Sequence, residues 1–98
     1  MIESLNRADW SAVVAAFVAF FGGLGTVEQS DDEVAFAADG TGLALSRDGS
    51  SRSFMPLHAL EAGWDVVVFD NSDHEVKLMS GATTYTYRVP ARLLASKP

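Results

Sequence analysis

The chain reads as an α+β domain, with an N-terminal helix packed on an antiparallel sheet of about five strands in the order α-β-β-(α)-β-β-β. Three observations predict this. The run DWSAVVAAFVAFFGGLG, from Asp9 to Gly25, has no charge after Asp9 and spaces its large apolar side chains as a helix does. After its glycines the period changes to two, as in EVAFAAD and TTYTYRV. Turn clusters DGTG, DGSS, NSDH and SGAT then separate short runs rich in β-branched residues. The length of 98 residues matches one domain spanning 1–98.

The helix is expected to take Asn6 as its N-cap, Asp9 at the third position and Leu5 with Trp10 as a hydrophobic staple. Gly22 or Gly23 supplies its end. At about 100° per residue, Trp10, Val13, Val14, Phe17, Val18, Phe20, Phe21 and Leu24 share one side and should form the core. The opposite side holds Ser11, Ala12, Ala15, Ala16, Ala19, Gly22 and Gly23, so the two faces differ in size rather than polarity. Two readings of the small side stay open. Alanine is the best helix former and costs little when exposed. Alternatively Ser11, Ala15, Ala19 and Gly23, recurring every four residues, let two helices approach closely and form a homodimer interface.

A membrane crossing takes about 20 apolar residues, and Gly22, Gly23 and Gly25 interrupt the run too early for that. A secretory signal needs a basic start and a small-residue cleavage site, yet Glu3, Arg7 and Asp9 precede the run and no A-x-A follows it. A cytoplasmic protein with no membrane partner is the expectation.

Downstream, EVAFAAD and GLALSRD form a hairpin turning at Asp39, Gly40, Thr41 and Gly42. The turn Asp48–Ser51 leads into RSFMPL, which either extends the sheet or bridges to a short helix over PLHALEA, with Pro56 at its start and Gly63 at its end. In WDVVVFD, Trp64 and Val66 to Phe69 are broken only by Asp65, which suits a central strand. EVKLMS and TTYTYRV complete a meander before the tail PARLLASKP.

Thirteen acidic residues face seven basic ones, of which only Lys77 and Lys97 are lysines, and the net charge is −6. Such a chain has no general field for phosphate backbones or anionic lipids, which argues against nucleic-acid and membrane-surface roles. With no cysteine there is no disulfide scaffold, thiolate metal site or thiol catalysis. The Asp-rich, Lys-poor composition resembles small acidic proteins of salt-loving archaea, whose surface carboxylates hold water at high salt. The element order, a helix, a hairpin turning at DGTGL, a crossing segment SFMPLHALEAG and a meander from WDVVVF to TYTYRV, resembles one half-domain of a sliding DNA clamp. That resemblance implies an accessory role in nucleic-acid processing. Clamp helices line the DNA side with basic residues, whereas this helix has no Lys or Arg after Arg7.

Candidate sites are few. In DNSDHE, the residues Asp70, Asn71, Asp73, His74 and Glu75 offer oxygen and imidazole ligands of the kind a divalent ion takes, but without EF-hand spacing, and an ordinary hairpin turn explains all of them and is the reading preferred. His58 and His74 are the only histidines, and LMSGA around Ser80 does not match a G-x-S-x-G elbow. Neither DGTG nor DGSS matches a phosphate-binding loop. Tyr85 and Tyr87 share a strand face with Val89, while Thr84, Thr86 and Arg88 point the other way. With Arg88 and Arg92 nearby, the tyrosines either stack on bases or complete the core. No catalytic residue, cofactor site or metal site is assigned. The reading reached is a non-catalytic, self-associating or protein-binding domain of a halophile cytoplasm, a clamp-like accessory module being the alternative and a small metal-dependent hydrolase the least supported. Arg47, Arg52, Arg88 and Arg92 on one face would favour the alternative. His58 and His74 meeting carboxylates in a pocket would favour the hydrolase.

Overall fold

In a computed structural model, which describes residues 2–38, 40–55 and 58–90, the charge-free run forms a helix, α1, over Trp10–Phe21. Its large side chains face inward as their spacing requires: Trp10, Val13, Phe17, Phe20 and Phe21 are buried, with Leu24 just beyond. Gly22 caps the C-terminus, its N–H donating to the Val18 carbonyl at 2.9 Å. The start differs from expectation. Asn6 ends a strand rather than capping the helix, and its Oδ1 accepts from the Ala8 N–H at 2.9 Å in a local turn. Asp9 is the N-cap and makes no side-chain cap bond.

Around α1 lie nine strands among the described residues: β1 (Ile2–Asn6), β2 (Thr26–Gln29), β3 (Glu33–Ala38), β4 (Thr41–Ser46), β5 (Ser50–Met55), β6 (His58–Gly63), β7 (Val66–Asp70), β8 (Glu75–Ser80) and β9 (Thr83–Arg88). The α+β class holds, but the single sheet of about five strands becomes two antiparallel sheets, ordered β1-β7-β8-β9 and β2-β3-β4-β5-β6. The difference comes from three strands, β1, β2 and β6, that local patterning does not announce. β1 pairs with β7, from Ile2 opposite Asp70 to Asn6 opposite Val66, across most of the chain. β2, TVEQ, pairs with β3 and has no alternating pattern of its own. β6 replaces the bridging helix expected over PLHALEA: residues 58–63 pair with β5, from Met55 opposite His58 to Ser50 opposite Gly63, while Pro56 and Leu57 lie outside the described residues. A segment that short gains little from helical hydrogen bonds, whereas β5 offers it a full ladder.

The expected hairpins are present. Ala38 pairs with Thr41 across Asp39 and Gly40, of which Asp39 is outside the described residues. Thr41 and Gly42, expected in that turn, already belong to β4. Ser80 pairs with Thr83 across Gly81 and Ala82, a two-residue turn whose first position takes the positive φ of Gly81, 59°. β7 is internal to its sheet, with Val67 and Phe69 buried and Val66 and Val68 half-buried on the other face.

The inward faces of both sheets and α1 share one apolar cluster that includes Phe17, Phe21, Phe36, Leu43, Leu45, Val67, Phe69 and Leu78. α1 touches β1 and β7 of one sheet and β2 and β3 of the other, so it fills the space between them on that side. Phe21 stacks on Phe36 of β3 with ring centres 4.3 Å apart, and Phe17 meets Phe69 of β7 edge-on at 6.4 Å. On the far side no helix intervenes. There Tyr85 and Tyr87 of β9 reach β5 and β4 directly, through Ser53 Oγ and Thr41 Oγ1, each at 2.8 Å. Gly25 marks the tightest backbone approach: a Cβ there would lie 2.6 Å from the Ala37 carbonyl oxygen.

Candidate functional site

The small side of α1 is exposed at Ser11, Ala12, Ala15 and Ala19, and Gly22 and Gly23 extend the exposed surface past the helix end. Ala16 departs from expectation. It is half-buried and packs against the core cluster, because a 12-residue helix wedged between two sheets is covered over more than half its girth. On the helix, Ser11, Ala15 and Ala19 thus form one solvent-facing line with no charged side chain in it, while Gly23, at φ 85°, is exposed beyond the helix end and outside its repeat.

At the β7–β8 connection the DNSDHE residues build a turn whose polar groups are used locally. Asp70 Oδ1 accepts from the N–H groups of Ser72 and Asp73 at 3.0 and 3.1 Å, and the His74 carbonyl accepts from Val89 N–H at 3.0 Å. His74 adopts a φ of 55°, which a turn of this kind demands. Asp70, Asp73 and Glu75 bring one carboxylate oxygen each within 4.8 Å of one another, and among the described residues His74 does not join them. Glu75 is already committed to Arg88, whose Nε donates to Glu75 Oε2 at 3.0 Å. That hydrogen bond, and then the Glu75 charge, raises the Arg88 pKa above its ordinary value.

The residues weighed for hydrolysis stay apart among the described residues. His58 begins β6, its side chain lying outside the described set, and His74 sits at the opposite sheet's turn. Ser80 Oγ lies 3.3 Å from Asp65 Oδ2, with no histidine between them. The base-stacking reading of Tyr85 and Tyr87 is overturned, since both hydroxyls point between the sheets: Tyr87 is buried, Tyr85 half-buried. Arg52 and Arg88 are on different sheets and each faces a glutamate, Arg52 meeting Glu33 at 2.7 Å and Arg88 meeting Glu75. Arg92 lies outside the described residues.

A polar junction that local patterning does not reveal surrounds Arg7. Its NH1 donates to the Arg47 carbonyl at 3.3 Å, its NH2 lies 3.7 Å from Asp65 Oδ1, and its buried Nε has no partner among the described residues. The guanidinium lies over Gly49, where a Cβ would come within 3.2 Å of Nε. Beside it, Asp48 Oδ1 accepts from Ser50 N–H at 2.9 Å and from Ser50 Oγ at 2.7 Å. Those two bonds lower the Asp48 pKa, and the Arg7 charge adds to the effect. An open groove of about 530 Å3 runs past this loop, lined by Asp32, Glu33, Ser46, Arg47 and Asp48. Glu33 in its wall is held by Arg52 and by Ser46 Oγ at 3.3 Å, across the small Ala44 of β4. The junction joins segments distant in sequence, so only the pairing of β1 with β7 could have announced it.

Among the described residues, fold and surface together define a two-sheet α+β domain with one charge-free helix between the sheets. No protein-family model matches the chain, and comparison with curated proteins and with solved structures gives no match.

Proposed function

We propose that the chain is a non-catalytic domain that self-associates, or binds a protein partner, through the small face of α1, in the cytoplasm of a halophile. One observation carries the reading. In a chain of net charge −6, α1 is a 12-residue helix with no charged residue, and its solvent-facing line is Ser11, Ala15 and Ala19. A surface intended only for water has no need to exclude carboxylates, whereas close helix approach requires small uncharged side chains. Two copies meeting there would cross about a two-fold axis, each offering the same patch. Ala19→Glu places a carboxylate in that contact and leaves the core face untouched. Sedimentation of Ala19→Glu, still folded, as a smaller species than the parent supports the interface; an Ala19→Glu variant that sediments as the parent does, or a parent monomeric at high concentration, removes it.

A further inference from the structure

Each sheet has two edges among the described residues: β1 and β9 in one, β2 and β6 in the other. An edge presents unpaired backbone groups, and proteins commonly blunt it with charge. Three of the four edges carry a glutamate within the strand: Glu3 in β1, Glu28 in β2 and Glu61 in β6. β9 carries none. Its sequence, TTYTYR, consists of β-branched and aromatic residues that pair well, and its single charge, Arg88, is held by Glu75.

The backbone of β9 is oriented for a further strand. Ser80 and Thr83 close a two-residue turn and exchange hydrogen bonds, so the alternation of an antiparallel ladder turns the N–H and C=O of Thr84, Thr86 and Arg88 away from β8. The side chains of Thr84 and Thr86 are exposed on the outer face. Their row neighbours are uncharged or basic: Thr84 lies opposite Met79, the exposed large apolar side chain of the described surface, and Thr86 lies opposite Lys77.

We infer that β9 is an edge at which a second copy of this chain adds, antiparallel and about a two-fold axis, joining two four-stranded sheets into one. The charge distribution selects the occupant. Two copies of net charge −6 repel wherever carboxylates face each other, and β9 is the edge strand that brings none. Registers centred on Tyr85 or Thr86 set threonine against threonine, or Arg88 against Thr84, and the same patch serves both copies. This surface is separate from the small face of α1, since α1 packs against β1, β2, β3 and β7. It extends the self-association reading without depending on that helix.

Amide hydrogen exchange of the whole chain at low and high protein concentration, alongside sedimentation, tests the inference. The N–H groups of Thr84 and Thr86 should gain protection as concentration rises, while the outward N–H of Val27 on the β2 edge should not. Thr86→Pro deletes an outward N–H without touching the β8 ladder and should weaken the dimer about tenfold, from the loss of one ladder bond per copy. Thr86→Lys keeps that N–H and sets like charges near the axis, so it serves should the proline variant misfold; it should also shift the chain toward monomer. Ala19→Glu should leave the concentration-dependent protection intact. A parent monomeric at all concentrations, protection of Thr84 and Thr86 independent of concentration, or a folded Thr86→Lys variant that sediments like the parent would overturn the inference.

Discussion

Tyr87 Oη and Thr41 Oγ1 lie 2.8 Å apart with neither residue exposed to solvent, joining the edge strand of one sheet to the middle strand of the other. The Tyr87 ring also meets Phe21 at the end of α1 edge-on at 6.1 Å, so the hydroxyl pair sits in an apolar layer where an unpaired oxygen is costly. Tyr87→Phe should therefore lower stability by about 1 to 3 kcal/mol. Combining it with Thr41→Val should cost less than the two single changes added together, because removing both partners strands neither. Denaturant melts of the four proteins measure the coupling, and strict additivity would mean the pair contributes nothing.

Phe17 is fully buried, with its ring 4.6 Å from Phe21 and 6.4 Å from Phe69. Its removal opens a cavity bounded by the helix and β7, which neighbours on two rigid elements cannot refill. Phe17→Ala should cost about 3 to 5 kcal/mol, read from the shift in denaturation midpoint. An unchanged midpoint would contradict the packing of α1 between the sheets.

Acid unfolding should show the contribution of Asp48. Its folded pKa is depressed by the two Ser50 hydrogen bonds and then by Arg7, so its stabilising effect is present above the unfolded value, about 3.9, and is lost as pH falls through the lower folded value. Asp48→Ala should be less stable than the parent near neutrality. The difference should close as the carboxyl protonates in both states. Melting temperatures of the two proteins across the acid range test the sign: a gap that widens on acidification would contradict it.

Salt should stabilise the fold if the carboxylate excess reflects a halophile cytoplasm. Thirteen acidic side chains against seven basic ones repel in dilute buffer, and at 1 M salt the Debye length contracts to about 3 Å. The melting temperature should rise from dilute buffer to molar KCl, most steeply at the start. A flat or falling profile would count against a halophilic origin.

Periodicity was enough to place α1, its buried face, the β3–β4 hairpin and the β7–β8–β9 meander, because a helix of 12 residues and strands rich in Val, Tyr and Thr express their preference locally. That Tyr85 and Tyr87 share one face was legible in the same way, from the alternation of β9, but that this face turns inward was decided by the second sheet. What periodicity could not express was the division into two sheets. β2 has only four residues, and β1 and β6, IESLN and HALEAG, carry patterns equally suited to a helix approach or a short helix; their strand character arises from partners. β1 becomes a strand because β7 is there to pair with it, which in turn spends Asn6 on the ladder, moves the helix start to Trp10 and carries Arg7 to Asp65 and Gly49. The candidate surfaces divide along the same line. The bare face of α1 follows from the order of its residues, but a sheet edge exists only once a sheet has an order, and among the described residues β9 became an edge when β1, β7 and β8 took the other places.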